Sequence, residues 1–260
     1  MSAFKDDVLS GKVAFIAGGT SGINLGIAKR MAELGARVAV AGRNAEKAGN
    51  AAAEIGHGAK GYSCDVRDFA ATRAVMEEIH GAWGPMHIVI AGAAGNFLAP
   101  AAGLSANGFK TVVDIDLLGT FNVFRGCYDL IVKPGASLIA ITAGQAVKPS
   151  VLQIHACAAK AGVNQVVRVL AMEWGPEGVR VNAVCPGPIA GTEGMARLAP
   201  NEAATKALTD RIPLRRYGEA GEVAESAVFL STDSAAYITG AIIDCDGGSG
   251  LGDARNPFGG

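Results

Sequence analysis

Short apolar runs alternate with longer amphipathic stretches along almost the whole chain. Seven runs rich in β-branched and other apolar residues predict strands, at residues 13–17, 37–41, 61–64, 87–91, 137–142, 180–185 and 241–244. The stretches between them are long enough for crossover helices. This alternation is typical of an α/β fold with a doubly wound, parallel seven-stranded sheet and helices on both faces, as in Rossmann-like proteins.

Three of the connecting stretches space apolar residues by three or four, so each is predicted to bury one stripe of a helix. The stripes comprise Ile27, Met31 and Leu34; Phe69, Arg73, Met76 and Ile79; and Val163, Val166, Val167 and Leu170. No repeat or composition break divides the sequence, which predicts a single domain over residues 1–260. Residues 191–213 are polar, alanine-rich and longer than a normal connection, and we expect them to fold over a substrate.

Composition and charge exclude several functional classes. The 260 residues include 50% apolar and 18% charged residues, with 23 Lys and Arg against 24 Asp and Glu, a formal net charge of −1. No basic field favours nucleic acid or a membrane surface, and we find neither a signal peptide nor an apolar run suited to a bilayer. Five widely separated cysteines without a CxxC motif indicate no disulfide framework and no metal site. We expect a cytoplasmic protein.

A glycine-rich turn follows the first predicted strand and opens a helix. Such a turn places backbone N–H groups and the positive end of the helix dipole where a pyrophosphate can bind. The residues expected to contact a dinucleotide there are Gly18, Thr20, Ser21, Gly22 and Ile23. The alternative is a tight strand-to-helix turn that holds no ligand.

Arg43 follows the second predicted strand and bears on the choice of cofactor. A carboxylate at this position would bind the ribose 2′-hydroxyl of NAD, whereas a guanidinium offers a planar set of donors suited to a 2′-phosphate. The sequence therefore favours NADP, the alternative being a solvated arginine on a loop.

The spacing of Gly18 and Gly22 resembles the GxxxGxG motif of short-chain dehydrogenases/reductases. Asn24 stands at the third glycine of that motif, and asparagine tolerates a left-handed backbone. The resemblance also implies that Asp65 and Val66, which close the third strand, contact the adenine. Asp65 could equally be the N-cap of a helix over residues 66–81.

The catalytic residues of that family are largely replaced. The family has a Tyr four residues before a Lys, a Ser thirteen residues before the Tyr, and an upstream Asn. Lys160 matches, but the other positions hold Ala156, Ala143 and Asp116. Ketone reduction needs a proton for a strongly basic alkoxide and should be poor without the phenol. Hydride addition to a conjugated thioester gives a delocalised, less basic enolate that needs only hydrogen-bond donors and a later proton.

Five further stretches resemble the 2,4-dienoyl-CoA reductases, especially the peroxisomal kind: residues 93–100, 109–116, 155–160, 173–176 and 186–194. The resemblance spans residues 11–248. It implies NADPH-dependent reduction of a 2,4-dienoyl-CoA to a 3-enoyl-CoA by a homotetramer, whose four-helix interfaces use residues 104–132 and 149–174.

The resemblance also implies site residues. Asp116 and Lys160 would be the catalytic pair, Lys160 also holding the nicotinamide ribose, and Asn96 would donate to the thioester oxygen, with Thr142 as a second donor. The cofactor would further contact Pro186, Gly187 and Ile189.

Two positions depart from the pattern: Ala91 replaces the asparagine that usually ends the strand there, and the C-terminus lacks a Ser-Lys-Leu address.

Several alternatives remain open. His155 is either a participant or a packed, hydrogen-bonded histidine, and Cys157 is read as a buried filler and not as a nucleophile. The chain could instead reduce 2-enoyl-CoA or 3-oxoacyl thioesters with an unrecognised acid. It could also be a catalytically silent NADP-binding sensor.

Overall fold

The chain forms seven strands, which the computed structural model places within residues 4–199 and 201–255, the part of the chain that it describes. They are β1 (Val13–Ala17), β2 (Arg37–Gly42), β3 (Lys60–Ser63), β4 (Ile88–Ala91), β5 (Ser137–Ile141), β6 (Arg180–Pro186) and β7 (Ile242–Cys245). All run parallel in one sheet of order β3-β2-β1-β4-β5-β6-β7. The predicted sheet is confirmed, and each strand begins and ends within one residue of its predicted bounds.

The helices cover both faces of the sheet. They are α1 (Gly22–Glu33), α2 (Ala45–Ile55), α3 (Phe69–Trp83), α4 (Ala106–Val113), α5 (Gly119–Cys127), α6 (Ile154–Trp174), α7 (Glu193–Leu198), α8 (Glu202–Thr209) and α9 (Ala220–Ser231). One hydrophobic core includes residues of α3, α5 and α6, and a second includes residues of α1, α2 and α9. Alternate residues of the central strands belong to the two cores, as expected for strands buried on both faces.

The predicted helical stripes are mostly buried, although Arg73 and Val166 are half-buried and Phe69 is exposed. Met76 and Ile79 of α3 are fully buried, but Phe69 is 42% exposed. Phe69 is the first residue of α3, directly after the Asp68 cap, and lies at the rim of the helix packing. Thr72 takes the core-facing position instead and donates its hydroxyl to the Asp68 carbonyl.

A π-helical turn, Asp114–Leu118, joins α4 to α5 without interrupting the helical path. Such turns are rare and often occur at functional sites. This turn contains Asp116, whose side chain is buried within the molecule.

The connection predicted to cover a substrate contains α7 and α8. It begins beside the glycine-rich turn, because a Cβ atom at Gly22 would lie 3.9 Å from the Thr192 methyl carbon. Thr192 and Asn201 cap the two helices with their side chains.

Candidate active site

The carboxyl ends of the central strands meet at one edge of the sheet. β1 pairs with β2 on one side and with β4 on the other, so the chain changes winding direction between β1 and β4. Ligands of such sheets bind outside the carboxyl ends of the strands at this switch point. Ala91 pairs in register with Ala17 and Ala140, so its replacement of asparagine leaves the sheet geometry intact.

The glycine-rich turn after β1 requires its first glycine. Gly18 has a φ of +79°, and a Cβ atom there would lie 2.6 Å from the Ala93 backbone nitrogen. Ser21 is the N-cap of α1 but makes no side-chain cap hydrogen bond. The first-turn N–H groups of α1 can therefore donate hydrogen bonds to an anion, and the turn fits the pyrophosphate of a dinucleotide.

Asn24 holds the turn in a way that the sequence did not suggest. It has no left-handed backbone but lies in α1, and its side-chain nitrogen donates to the carbonyls of Gly92 at 2.7 Å and Gly18 at 3.3 Å. The expected backbone role is thus wrong. The asparagine amide links the turns after β1 and β4.

The residues expected around the adenosine half of a cofactor lie at the ends of β2 and β3. Arg43 is exposed directly after β2, and Thr20 packs so closely on Gly42 that a Cβ atom there would lie 2.7 Å from the Thr20 methyl carbon. Val66 is buried, and Asn122 donates to its carbonyl at 2.8 Å. Ile23 is half-buried in the first turn of α1.

Asp65 is not a helix cap. Asp68 caps α3 by accepting from the Ala71 N–H at 3.0 Å, whereas Asp65 forms a bidentate ion pair with Arg67, with a shortest distance of 2.6 Å. Hydrogen bonds from the Arg67 side chain lower the pKa of Asp65. Asp65 therefore stays ionised and ion-paired at neutral pH.

Lys160 and Asp116 form a buried pair. The Lys160 ammonium lies 3.2 Å from the Asp116 carboxylate and donates to the Ile141 carbonyl at 3.0 Å. The second carboxylate oxygen of Asp116 accepts from the Gly95 N–H at 2.7 Å. Asp116 is 1% exposed and Lys160 is 7% exposed, so the pair is shielded from bulk water.

Asn96 lies in the segment that follows β4, one residue beyond Gly95. Its side-chain nitrogen donates to the Gln153 side-chain oxygen at 2.6 Å. Gln145 donates to the same oxygen at 3.2 Å. The sequence reasoning missed both glutamines; two glutamines flanking an otherwise weakly polar loop were the available signal.

The structure shows the contacts of the side chains whose roles the sequence did not decide. The Thr142 hydroxyl donates to Asn164 at 2.7 Å, so its single proton is already engaged.

His155 is fully buried against the Phe97 ring, with centroids 4.4 Å apart, and neither of its ring nitrogens has a hydrogen-bond partner among the described residues. The alternative of a packed, hydrogen-bonded histidine thus agrees with the structure in its packing but not in its hydrogen bond. Cys157 is half-buried and its sulfur lies 3.9 Å from the Ser150 carbonyl.

The strand β6 leads into the last group of expected cofactor residues. A Cβ atom at Gly187 would lie 2.6 Å from the Asp246 Cα, so the chain passes close to the end of β7 there. Pro186 is half-buried and Ile189 is buried. Burial raises the pKa of the neighbouring Cys185 thiol to about 12, which keeps it protonated and unsuited to act as a nucleophile.

Comparison with known proteins identifies a family model and relatives that this chain matches. Residues 17–250 match the family model described as enoyl-(acyl carrier protein) reductase. The peroxisomal 2,4-dienoyl-CoA reductase [(3E)-enoyl-CoA-producing] of Danio rerio is 42% identical over 97% of this chain and 86% of its own length. A probable 2,4-dienoyl-CoA reductase [(2E)-enoyl-CoA-producing] of Bacillus subtilis is 38% identical over 95% of this chain and 98% of its own.

A solved structure agrees with these relatives. A short chain dehydrogenase from Bacillus anthracis superposes with a TM-score of 0.83 at 37% identity, over 92% of this chain and 96% of its own.

Proposed function

The chain belongs to the short-chain dehydrogenase/reductase family, and on that premise we propose that it reduces 2,4-dienoyl-CoA thioesters with NADPH. The buried pair of Lys160 and Asp116, at a site whose tyrosine position is Ala156, is the observation that carries this proposal. A site with this pair and no phenol suits a reaction whose charge is delocalised and protonated late.

The cofactor proposal depends on three features at the sheet edge. The glycine-rich turn and the first turn of α1 would hold the pyrophosphate, and Lys160 would hold the nicotinamide ribose. Arg43, exposed at the end of β2, would hold a 2′-phosphate, which favours NADP over NAD. When bound, NADPH supplies the hydride that adds to the δ-carbon of the dienoyl thioester.

The chain's own residues would handle the resulting negative charge and the proton. Asn96 would donate to the thioester oxygen as charge develops there. Thr142 is left out of this role because its hydroxyl proton is given to Asn164. A carboxylate has about four lone-pair sites, and Gly95 and Lys160 occupy two at Asp116. The remainder would bind the water that protonates the α-carbon and leaves a 3-enoyl-CoA.

The 2-enoyl-CoA product is a second candidate because the Bacillus subtilis relative carries that product in its name. The two products differ in which carbon of the dienolate receives the proton. Protonation at the α-carbon leaves the 3-enoyl product, and protonation at the γ-carbon leaves the 2-enoyl product. The position of the water relative to Asp116 would decide between them.

We also propose the setting in which the enzyme works. Apolar side chains remain exposed on α5 and α6, among them Phe121 at 43% and Met172 at 80%. Packing of these helices against a second copy would build the four-helix interfaces of a homotetramer. The five cysteines are free, which suits a reducing cytoplasm. Among the described residues, no helix combines the length and apolar character needed to cross a bilayer.

A turnover screen tests the function directly. The protein is mixed with NADPH and, in separate assays, a dienoyl-CoA, an enoyl-CoA and a 3-oxoacyl-CoA, and the products are separated by chromatography. The proposal expects the dienoyl thioester to be the fastest substrate. A faster 3-oxoacyl substrate would overturn it, and cofactor binding without turnover would favour a silent sensor.

A further inference from the structure

The start of α6 holds the segment after β4 at three neighbouring points. The Asn96 side chain donates to Gln153 at 2.6 Å, the Phe97 ring stacks on His155, and the Ala99 N–H donates to the Leu152 carbonyl at 2.9 Å. The residue that carries the expected substrate donor is therefore fastened directly to α6, the helix that also carries Lys160.

The Gln153 side chain determines which atom of the Asn96 amide faces α6. Its side-chain oxygen accepts from the amide nitrogens of both Asn96 and Gln145, and the side chain is only 8% exposed. It is the N-cap residue of α6 but makes no side-chain cap hydrogen bond. With its oxygen facing two donors, Gln153 fixes the Asn96 amide with its nitrogen towards α6, and the plane of the second N–H is fixed with it.

The local backbone is held in a costly conformation at the same place. Leu152 has a φ of 65°, in the left-handed region that leucine rarely adopts. The adjacent His155 is buried with both ring nitrogens unpartnered among the described residues. Strain and unsatisfied polar groups of this kind collect at functional sites, where the surrounding structure over-determines them.

We propose that Gln153 is a positioning residue that acts through Asn96. Its side-chain oxygen would hold the Asn96 amide in the orientation in which its other N–H donates to the thioester oxygen of the substrate. This proposal rests on the proposed function, since it assigns the donor's orientation for that reaction. Donors act on a developing charge only when they are already aimed at it, and a misplacement of about 1 Å can cost on the order of 100-fold in rate.

A double-mutant cycle on the full-length protein tests the proposal. Asn96→Ala should lower kcat for a dienoyl-CoA by about 100-fold or more, and Gln153→Met, which keeps the size but removes the acceptor, by roughly 10- to 100-fold. The double variant should be no slower than Asn96→Ala alone by more than about twofold, because Gln153 then has no amide to orient. The KM for NADPH should stay within about twofold throughout.

Asn50→Leu is the matched control. Asn50 is an exposed amide residue of α2, outside the proposed substrate, cofactor and subunit contacts, and its substitution should leave kcat unchanged. If Gln153→Met does not fold, Gln153→Ala enters the same cycle, because truncation introduces no new contact.

The outcomes separate the two proposals. Multiplicative losses in the double variant, or full rate in Gln153→Met, would refute positioning through Asn96 while leaving the reductase function standing. A wild type that turns over no dienoyl-CoA would overturn the function itself, and the positioning role with it.

Discussion

Replacing Asp116 by alanine removes three things at once from a site that is shielded from bulk water. The Lys160 ammonium loses its only carboxylate among the described ion pairs, the Gly95 N–H loses its acceptor, and the proposed water loses its binding group. The Ile141 carbonyl, 3.0 Å from the ammonium, remains as a neutral partner. The substitution should therefore affect both stability and rate.

The loss of stability can be estimated from burial. Breaking a buried ion pair by removing one partner typically costs ~3–5 kcal/mol, because the other charge stays uncompensated. Asp116 and Lys160 are both more than nine-tenths buried, so the full range applies. Asp116→Asn should lose less, since its amide oxygen can still accept from Gly95.

The rate should fall for both variants. Losing a positioned proton source typically costs 10²-fold or more, so kcat for a dienoyl-CoA should drop by about that factor in Asp116→Ala and Asp116→Asn alike. Urea unfolding followed by tryptophan fluorescence measures the stability, and NADPH oxidation measures the rate. The rate is measured at urea concentrations well below the unfolding midpoint of the less stable variant.

Asp114→Ala is the control from the same π-helical turn. Asp114 pairs with the exposed Lys110, so its loss should cost less than about 1 kcal/mol and leave the rate unchanged. If Asp116→Ala kept full rate, the proton would have to come from another group. If its stability equalled that of Asp114→Ala, the reasoning from burial would be refuted.

Three further results are expected. Arg43→Ala should raise the NADPH dissociation constant about tenfold or more, equivalent to ~1.4 kcal/mol, and leave NADH nearly unchanged in fluorescence titrations; equal losses would contradict the phosphate assignment. Light scattering at micromolar concentration should give four times the chain mass of 26.3 kDa, and a monomer mass would exclude the tetramer. His155→Phe keeps the stack on Phe97 but removes two buried, unpartnered nitrogens, so the melting temperature should rise by about 2–4 °C; a fall would show that the imidazole has a stabilising partner.

The fold could be predicted because its signals are local. Each strand is a short apolar run next to a turn, and the pattern of runs determines a parallel sheet whatever the details of packing. The family pattern places Lys160 and Asp116 in one proposed site, and in the structure their charged groups lie 3.2 Å apart.

The features that were missed depend on contacts between distant positions. Gln153 and Asn96 are 57 residues apart in sequence, and no residue near either one predicts that their side-chain amides form a hydrogen bond. Asp65 and Asp68 both precede α3, and Asp68 is the cap because the helix begins at Phe69. Asp65 forms an ion pair with Arg67 instead. For His155 the sequence left two alternatives open, and neither showed that the buried imidazole would stack on Phe97 without a hydrogen-bond partner among the described residues.

The contact between Asn24 and Gly92 links two positions that would otherwise mutate independently. A Cβ atom at Gly92 would lie 2.3 Å from the Asn24 side-chain oxygen, so any larger residue at 92 collides with the asparagine. With glycine at position 24, as in the GxxxGxG motif, that obstacle is gone, but the Gly92 carbonyl loses its donor. The pair should therefore show epistasis: Gly92→Ala is harmful beside Asn24 and tolerated beside glycine. A chimera that imports the cofactor turn of a GxxxGxG relative has to choose the residue at position 92 together with the turn.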